Sequence, residues 1–473
     1  MNDPDSPLCE TRRRFLMHTS AGLGSAALAS LLGGPLSAAG LPAGAHFPAK
    51  AKRVIYLFMS GGPSHIDLFD HKPKMNELHG QELPASVKGT QRVTTMTRNQ
   101  KQFSVAGSPF KFARHGKSGQ EISELLPHTA KVADRIAIIR SMYTEPINHD
   151  PAVTFIQTGS PQAGRPTIGS WLSYGLGSVN ENLPHFVVLL SGTNEGQPLL
   201  SRYWHNGFLH SKHQGVQLRS GADPVLYLSN PPGVDNAARK DVIDGVNELN
   251  RIKFDSVGDP EIQTRINSFE LAYRMQSSVP ELMNLSSEPQ SVLDLYGAQP
   301  GKASFANNCL LARRLAERGV RFIQLYHRDW DHHQELPTKL RGECRATDQG
   351  AAALVADLAQ RGMLDETLVI WGGEFGRTAY SQGELTGMHY GRDHHPRCFT
   401  IWMAGGGIKS GITLGRTDDF GYNLAEDGVH VHDFQATVLH QLGIDHRKLI
   451  FRYQGRDFRL TDVSGNVVQK LLI

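Results

Sequence analysis

The sequence predicts an α/β protein, a three-layer α/β/α arrangement with a mostly parallel central sheet. Two observations predict it. Short apolar runs without alternation recur along the chain, and helical patterns lie between them. A strand buried on both faces reads as a continuous apolar run. Strands that alternate with helices argue for a parallel sheet covered on both sides.

Taken in order, residues 54–59 (VIYLFM) are the first expected strand, ended by Ser60-Gly61-Gly62-Pro63. Similar runs at 136–139, 186–190, 321–325, 367–371 and 399–403 are the other expected strands. Helices are expected over 121–133, 167–176, 260–275, 304–318, 348–360 and 432–442. Residues 74–118 and 192–258 are rich in polar residues, Gly and Pro, and read as long surface excursions around a site. Gly405-Gly406-Gly407 reads as a hairpin or bulge, because no Lys-Ser/Thr helix start follows it. With no internal repeat and no long linker, residues 46–473 are expected to form one large domain with insertions.

The chain ahead of that domain reads as a leader. Thr11-Arg12-Arg13-Arg14-Phe15-Leu16 fits the twin-arginine export pattern; residues 21–32 are weakly apolar, and Ser37-Ala38-Ala39 are small. Basic, apolar and small regions in that order mark a signal peptide, here expected over residues 1–45. The apolar stretch is too short and Gly/Ser-rich for a membrane span. The expected location is therefore periplasmic or cell-surface, with the twin-arginine export machinery as a partner.

Composition is ordinary for a globular chain: 473 residues, 39% apolar and 20% charged. A net charge of +3 without clustered Lys/Arg excludes a nucleic-acid footprint. Cys9 lies in the leader, which leaves Cys309, Cys344 and Cys398. An odd count leaves at least one thiol unpaired in a monomer, and without a CxxC a Cys-based zinc site is not expected.

Ligands of open α/β sheets bind beyond the carboxyl ends of the strands. Acids and imidazoles gather there. The run at 54–59 is followed by Ser64, His65, Asp67 and Asp70. The run at 321–325 is followed by His327, Asp329, Asp331, His332 and His333. Glu374 and Arg377 follow 367–371, while His389, Asp393, His394 and His395 sit on the loop entering 399–403. Carboxylate oxygen with imidazole nitrogen suits zinc or manganese; carboxylate alone suits magnesium or calcium. Each cluster also has a bland reading. Asp331-His332-His333 reads as a solvated loop, Glu374 as a cap, and Asp393-His394-His395 as an Asx-turn before Pro396.

Together these pieces resemble the exported family called domain of unknown function 1501, which looks sulfatase-like. The resemblance rests on the twin-arginine leader, Gly61-Gly62-Pro63-Ser64 with Asp67 and Asp70, and Gly159 after Asn148-His149. It continues through Trp330-Asp331-x-His333, Gly373-Glu374-Phe375-Gly376-Arg377-Thr378, Gly391-Arg392-Asp393-His394, and Asp433 with Ala436-Thr437. It implies the alkaline phosphatase/sulfatase superfamily fold and metal-assisted attack on a phosphate or sulfate ester. The superfamily's first-strand metal-binding Asp is replaced by Ser60-Gly61-Gly62. Its later Asp-His pair becomes Glu374-Phe375. Where sulfatases carry a Cys or Ser nucleophile ahead of a Thr-Gly, this chain has His149 ahead of Thr158-Gly159.

The resulting expectation is an exported, metal-dependent hydrolase-like protein acting on a small-molecule or polysaccharide ester. Asp331, His333, Glu374 and His394 are the expected ligands, with Asp67 and Asp393 as further ligands or outer partners. Arg377 and Arg392 are expected to clamp an anionic group, and His149 to act as general acid/base or nucleophile. Water replaces the missing Ser/Cys nucleophile, and Ser64 is expected to cap the segment after it. Two alternatives stand beside this: a non-enzymatic exported binding protein on a degenerate hydrolase fold, and a structural metalloprotein whose ion staples loops.

Overall fold

The six expected apolar runs are strands of one sheet. They are β1 (Arg53–Met59), β2 (Ile136–Tyr143), β3 (Phe186–Ser191), β5 (Phe322–His327), β6 (Thr367–Gly372) and β9 (Phe399–Ala404). A computed structural model describes residues 44–192, 199–219, 230 and 233–473, so all of the expected leader but Gly44 and Ala45 lies outside the described residues. Three short strands, β4 (Val216–Leu218), β10 (Ile412–Leu414) and β11 (Val429–His430), complete the sheet. The order is β10-β2-β9-β6-β1-β5-β3-β4, with β11 also on β2.

β1 pairs in parallel with both β5 and β6, with Leu57 opposite Leu325 and Trp371. Among the described residues only β9 runs against its neighbours in this sheet, pairing antiparallel with β2 and β6. That reversal matters for the site. The entry of β9 lies at the same edge as the exits of the parallel strands.

Alternation along β1 splits its side chains between two cores. Ile55, Leu57 and Met59 face one layer with Leu310, Leu311, Leu354 and Leu358. These come from α5 (Phe305–Glu317) and α6 (Leu336–Gln360). Val54, Tyr56 and Phe58 face the other, with Ile156, Leu172 and Val438. Those sit on α1 (His149–Thr158), α2 (Ile168–Leu176) and α7 (Val431–Gln441). Strands buried on both faces are what continuous apolar runs require.

Several expectations need correction. The helix expected over 121–133 is a strand, Gln120–Ser123, followed by a 3-10 turn, Thr129–Arg135. Pro127 explains it: a proline removes an N–H and disfavours helical geometry in the residue before it. α1 went unseen because Pro151 and β-branched residues weaken its helical signal, yet proline is tolerated in a first turn. The excursion at 192–258 contains a helix, α3 (Asn236–Val257), that buries only Ile243 and Asn247, too few for an apolar stripe. α3 packs on α4 (Pro260–Met283). The excursion at 74–118 has a small core, in which Met75, Leu83, Phe103 and Val105 meet Ala379 and Tyr380. Gly405, Gly406 and Gly407 all take positive φ in the turn after β9. Cys309, Cys344 and Cys398 are free and buried.

The segment 391–395, expected as a loop, is a strand. β8 (Gly391–His395) pairs antiparallel with β7 (Gly376–Gln382), His394 opposite Arg377. This hairpin continues directly from the exit of β6.

Candidate metal centre

Three chain segments bring four residues together beyond the carboxyl edge of the sheet. The loop after β5 carries Asp331 and His333, the start of α1 carries His149, and β8 carries His394. One ligand atom from each of these four lies within 4.8 Å of every other. Asp331 is at the middle. Its Oδ1 is 2.8 Å from His333 Nε2 and 3.4 Å from His394 Nε2, and its Oδ2 is 3.2 Å from His149 Nε2. Ligand atoms bound tetrahedrally at about 2.0–2.1 Å sit roughly 3.3 Å apart, so the cluster is ion-sized.

Glycine makes this convergence possible. A Cβ on Gly391 would lie 2.0 Å from the His333 carbonyl carbon and oxygen. One on Gly61, at φ 120°, would lie 2.5 Å from the Asp331 nitrogen. The ligand loop is thus sandwiched between two backbones that approach too closely for side chains. It is also zipped to the hairpin: Arg392 N donates to His332 O at 3.2 Å, and Leu336 N to Tyr390 O at 2.9 Å. Two non-glycine residues in the left-handed region, Asp329 (φ 77°) and Glu335 (φ 53°), bracket the loop. Such conformations persist where the surroundings over-determine them.

Every imidazole of the cluster is held by its outer nitrogen. His394 Nδ1 meets the Ile147 carbonyl at 2.8 Å, and His333 Nδ1 meets Gln382 Oε1. His149 Nδ1 meets Glu374 Oε1 at 2.6 Å. These oxygens only accept, so each Nδ1 carries a proton, and in the neutral ring each Nε2 presents a lone pair inward. Three lone pairs then face a carboxylate, an acceptor-only cluster that a cation satisfies. His149 Nε2 is buried and makes no hydrogen bond, although Asp331 Oδ2 lies 3.2 Å away. The donor set therefore fits a metal ion, with outer partners of the kind metal-binding histidines have.

Burial opposes the Asp331 charge, but the Arg377 guanidinium beside it holds its carboxyl far below the usual range. Burial alone lowers His149, yet Asp331 and Glu374 outweigh it and raise its pKa. Burial, with help from Arg377, lowers His394 to about 4 against the pull of Asp331. The Asp331 and His333 side chains keep 14% and 21% exposure, which leaves the cluster open to solvent on that side.

The other expected site residues take different places. Glu374 is outside the four; fully buried, it accepts from Gly61 N at 3.0 Å and orients His149. His149, expected as acid/base or nucleophile, stands among the four ligand candidates instead. Its clue was a histidine opening a helix after a strand exit. Arg377 does not offer a free clamp: it is 1% exposed and donates to Gly62 O at 2.9 Å, Arg392 O at 3.0 Å and Asp331 Oδ1 at 2.6 Å. Arg392 is sealed too, donating to Asp67 at 2.9 and 3.3 Å, Thr378 O at 3.0 Å and Ala106 O at 2.8 Å. A buried guanidinium needs internal acceptors, and both arginines have found them. Asp67 is thereby tied to Arg392, and Ser64 donates to its Oδ2 at 2.5 Å instead of capping backbone. Asp393 accepts from Thr94 at 2.6 Å, Thr97 at 2.5 Å and the His394 N–H at 2.8 Å, which fixes β8. His332, between two ligand candidates in sequence, stays out of the group and packs near Trp330; burial pushes its pKa down to about 3.

No curated protein matches this sequence. Similar solved structures include a protein in the alkaline phosphatase superfamily from Vibrio parahaemolyticus, 10% identical, with a TM-score of 0.37 over 87% of this chain and 75% of that one. The alkaline phosphatase of the Antarctic bacterium TAB5 is 10% identical, with a TM-score of 0.30 over 83% and 98%. The PsFucS1 sulfatase from Pseudoalteromonas sp. is 13% identical, with a TM-score of 0.32 over 84% and 68%. The family described as "Protein of unknown function (DUF1501)" matches residues 51–472, nearly the whole described chain, and this protein belongs to that family.

Proposed function

We propose that this protein is an exported, metal-dependent hydrolase acting on ester bonds, with His149, Asp331, His333 and His394 as the ligands. One observation carries the reading: three Nε2 atoms and one carboxylate converge, each ring held from behind by an acceptor. A divalent ion there supplies a Lewis acid for an ester oxygen and a water made acidic enough to attack near neutral pH. The chain's own residues do the rest. Glu374, Gln382 and the Ile147 carbonyl keep the rings oriented; Arg377 keeps Asp331 ionised. Zinc or manganese suits this donor set better than magnesium or calcium. A water nucleophile fits a site in which Ser64 is tied to Asp67. A phosphate- or sulfate-type ester is the proposed substrate class.

The test is direct. Purified protein is expected to contain a divalent transition metal and to hydrolyse an aryl phosphate or aryl sulfate. Chelation should abolish turnover, and the ion should restore it. Metal without turnover on any ester would favour the loop-stapling reading, which the sealing of both arginines supports. Export through the arginine pair is a separate proposal, supported by Arg12-Arg13 ahead of an apolar stretch. Replacing both by Lys is expected to leave the protein in the cytoplasm; undiminished export would refute it.

A further inference from the structure

We infer that this centre takes a single first-row transition ion, and that the Arg377 guanidinium fills the place beside Asp331 that a second ion would need. The inference rests on the metal reading above and concerns how many ions the site holds and which kind.

Two-ion centres set their ions roughly 3.5–4 Å apart. Cations so close need anionic ligands between and around them. Among the described residues the group offers one carboxylate, Asp331. Its Oδ1 already lies 2.6 Å from Arg377 Nη2. The neighbouring acids are committed elsewhere. Glu374 holds Gly61 N and His149 Nδ1, Asp67 holds Arg392, and Asp393 holds Thr94 and Thr97.

Arg377 is fixed where it stands. It is 1% exposed, and its Nε, Nη1 and Nη2 all donate to backbone carbonyls of Gly62, Arg392, Gly61 and Trp330. A guanidinium stays protonated in proteins, so the positive charge beside Oδ1 is permanent. It keeps a second cation away and holds Asp331 in one orientation for the first. Arg377 is thus a positioning residue for the ion, not a contact for substrate. Three imidazoles to one carboxylate also select borderline-soft ions over the oxygen-seeking Mg²⁺ and Ca²⁺.

The experiment strips the purified full chain with a chelator and titrates it with Zn²⁺, Co²⁺ or Mg²⁺ by calorimetry, with ions counted by elemental mass spectrometry. One Zn²⁺ or Co²⁺ per chain is expected, and no Mg²⁺ at equal concentration. The visible bands of bound Co²⁺ should report nitrogen ligation. Arg377→Lys, which keeps a charge but loses the fork, is expected to bind Zn²⁺ about 10–100-fold more weakly, as for other outer partners of metal ligands. Two ions per wild-type chain would overturn the inference. So would wild-type affinity and an unchanged Co²⁺ spectrum in an Arg377→Lys variant shown to be folded by circular dichroism. If that variant does not fold, the wild-type ion count still decides. A wild-type chain that binds no transition ion at all is a different failure: it removes the metal reading itself.

Discussion

Asp331, His333 and His394 were legible as ligand candidates because each sits in an acid/imidazole cluster beside an apolar run. His149 lies within the group of four and Glu374 just outside it, and the reason is atomic. Which of two neighbouring polar groups faces the cluster depends on where Gly61 N and Asp331 lie, and neither is near them in sequence. His333 is the most accessible ligand candidate, so its removal disturbs little packing. His333→Ala is expected to weaken zinc binding by more than about 100-fold, beyond the 10–100-fold typical of outer partners. Apo stability should stay within about 0.5 kcal/mol, as for most partly exposed substitutions. Calorimetry and urea denaturation check both; unchanged affinity would remove His333 from the site. Arg392 is different. It and Asp67 are both 0% exposed, so Arg392→Ala strands a buried carboxylate. A loss of about 3–5 kcal/mol is expected. A urea midpoint matching the wild type would contradict the buried-pair account.

Strands and loops show where local signals suffice. The apolar runs of β1, β3, β5, β6 and β9 were readable because burial on both faces leaves no polar positions. The region 121–133 was misread because apolar spacing spoke for a helix while Pro127 spoke against it. β8 was missed because it has no apolar run at all: Gly391–His395 is a strand through pairing with β7 and contacts with the ligand loop. That loop is held by backbone closeness, which gives an element-level prediction. In Gly391→Ala the new Cβ meets the His333 carbonyl at 2.0 Å, and backbone must move. Such overpacking costs about 1–3 kcal/mol. Zinc affinity should fall with it, since His333 shifts away from Asp331. A variant with both wild-type stability and wild-type affinity would refute the sandwich of the loop between two glycines.

For the whole molecule, the proposed ion would couple to folding. Ligand candidates that converge only in the folded chain would make zinc a stabiliser. Free zinc at 100 times its dissociation constant is expected to add about 2.7 kcal/mol. A melting temperature that does not rise with zinc would contradict a site preorganised by the fold. Stability also depends on pH through histidines buried neutral. Burial pushes His213 down to about 3 from 6.5, beside Ser173 Oγ at 2.8 Å. The unfolded chain takes this proton near its ordinary pKa; the folded chain does not. The contribution of His213 is therefore complete above that value and is lost as pH falls toward about 3. His149 runs the other way: its raised pKa stabilises at low pH and fades as pH rises. The comparison with His213→Asn isolates one term. Below about pH 6.5 the wild type should lose stability faster than the variant, by at most about 1.4 kcal/mol per pH unit. Equal slopes would show that His213 is not the titrating group.

The amino-acid order alone was enough for the three-layer α/β class, for six strands of the sheet, and for three of the four ligand candidates. These are local properties: apolar runs, helical periodicity, and acids with imidazoles next to strand ends. The folded chain alone decided that β9 runs antiparallel, which brings His394 to the edge where Asp331 emerges. It also turned Arg377 and Arg392 inward and placed His149 among the ligand candidates. Those outcomes depend on contacts between residues hundreds of positions apart, as between Gly61 and Glu374 or between Asp67 and Arg392. A buried charge takes whatever acceptors the packing brings to it, and packing is a property of the whole chain.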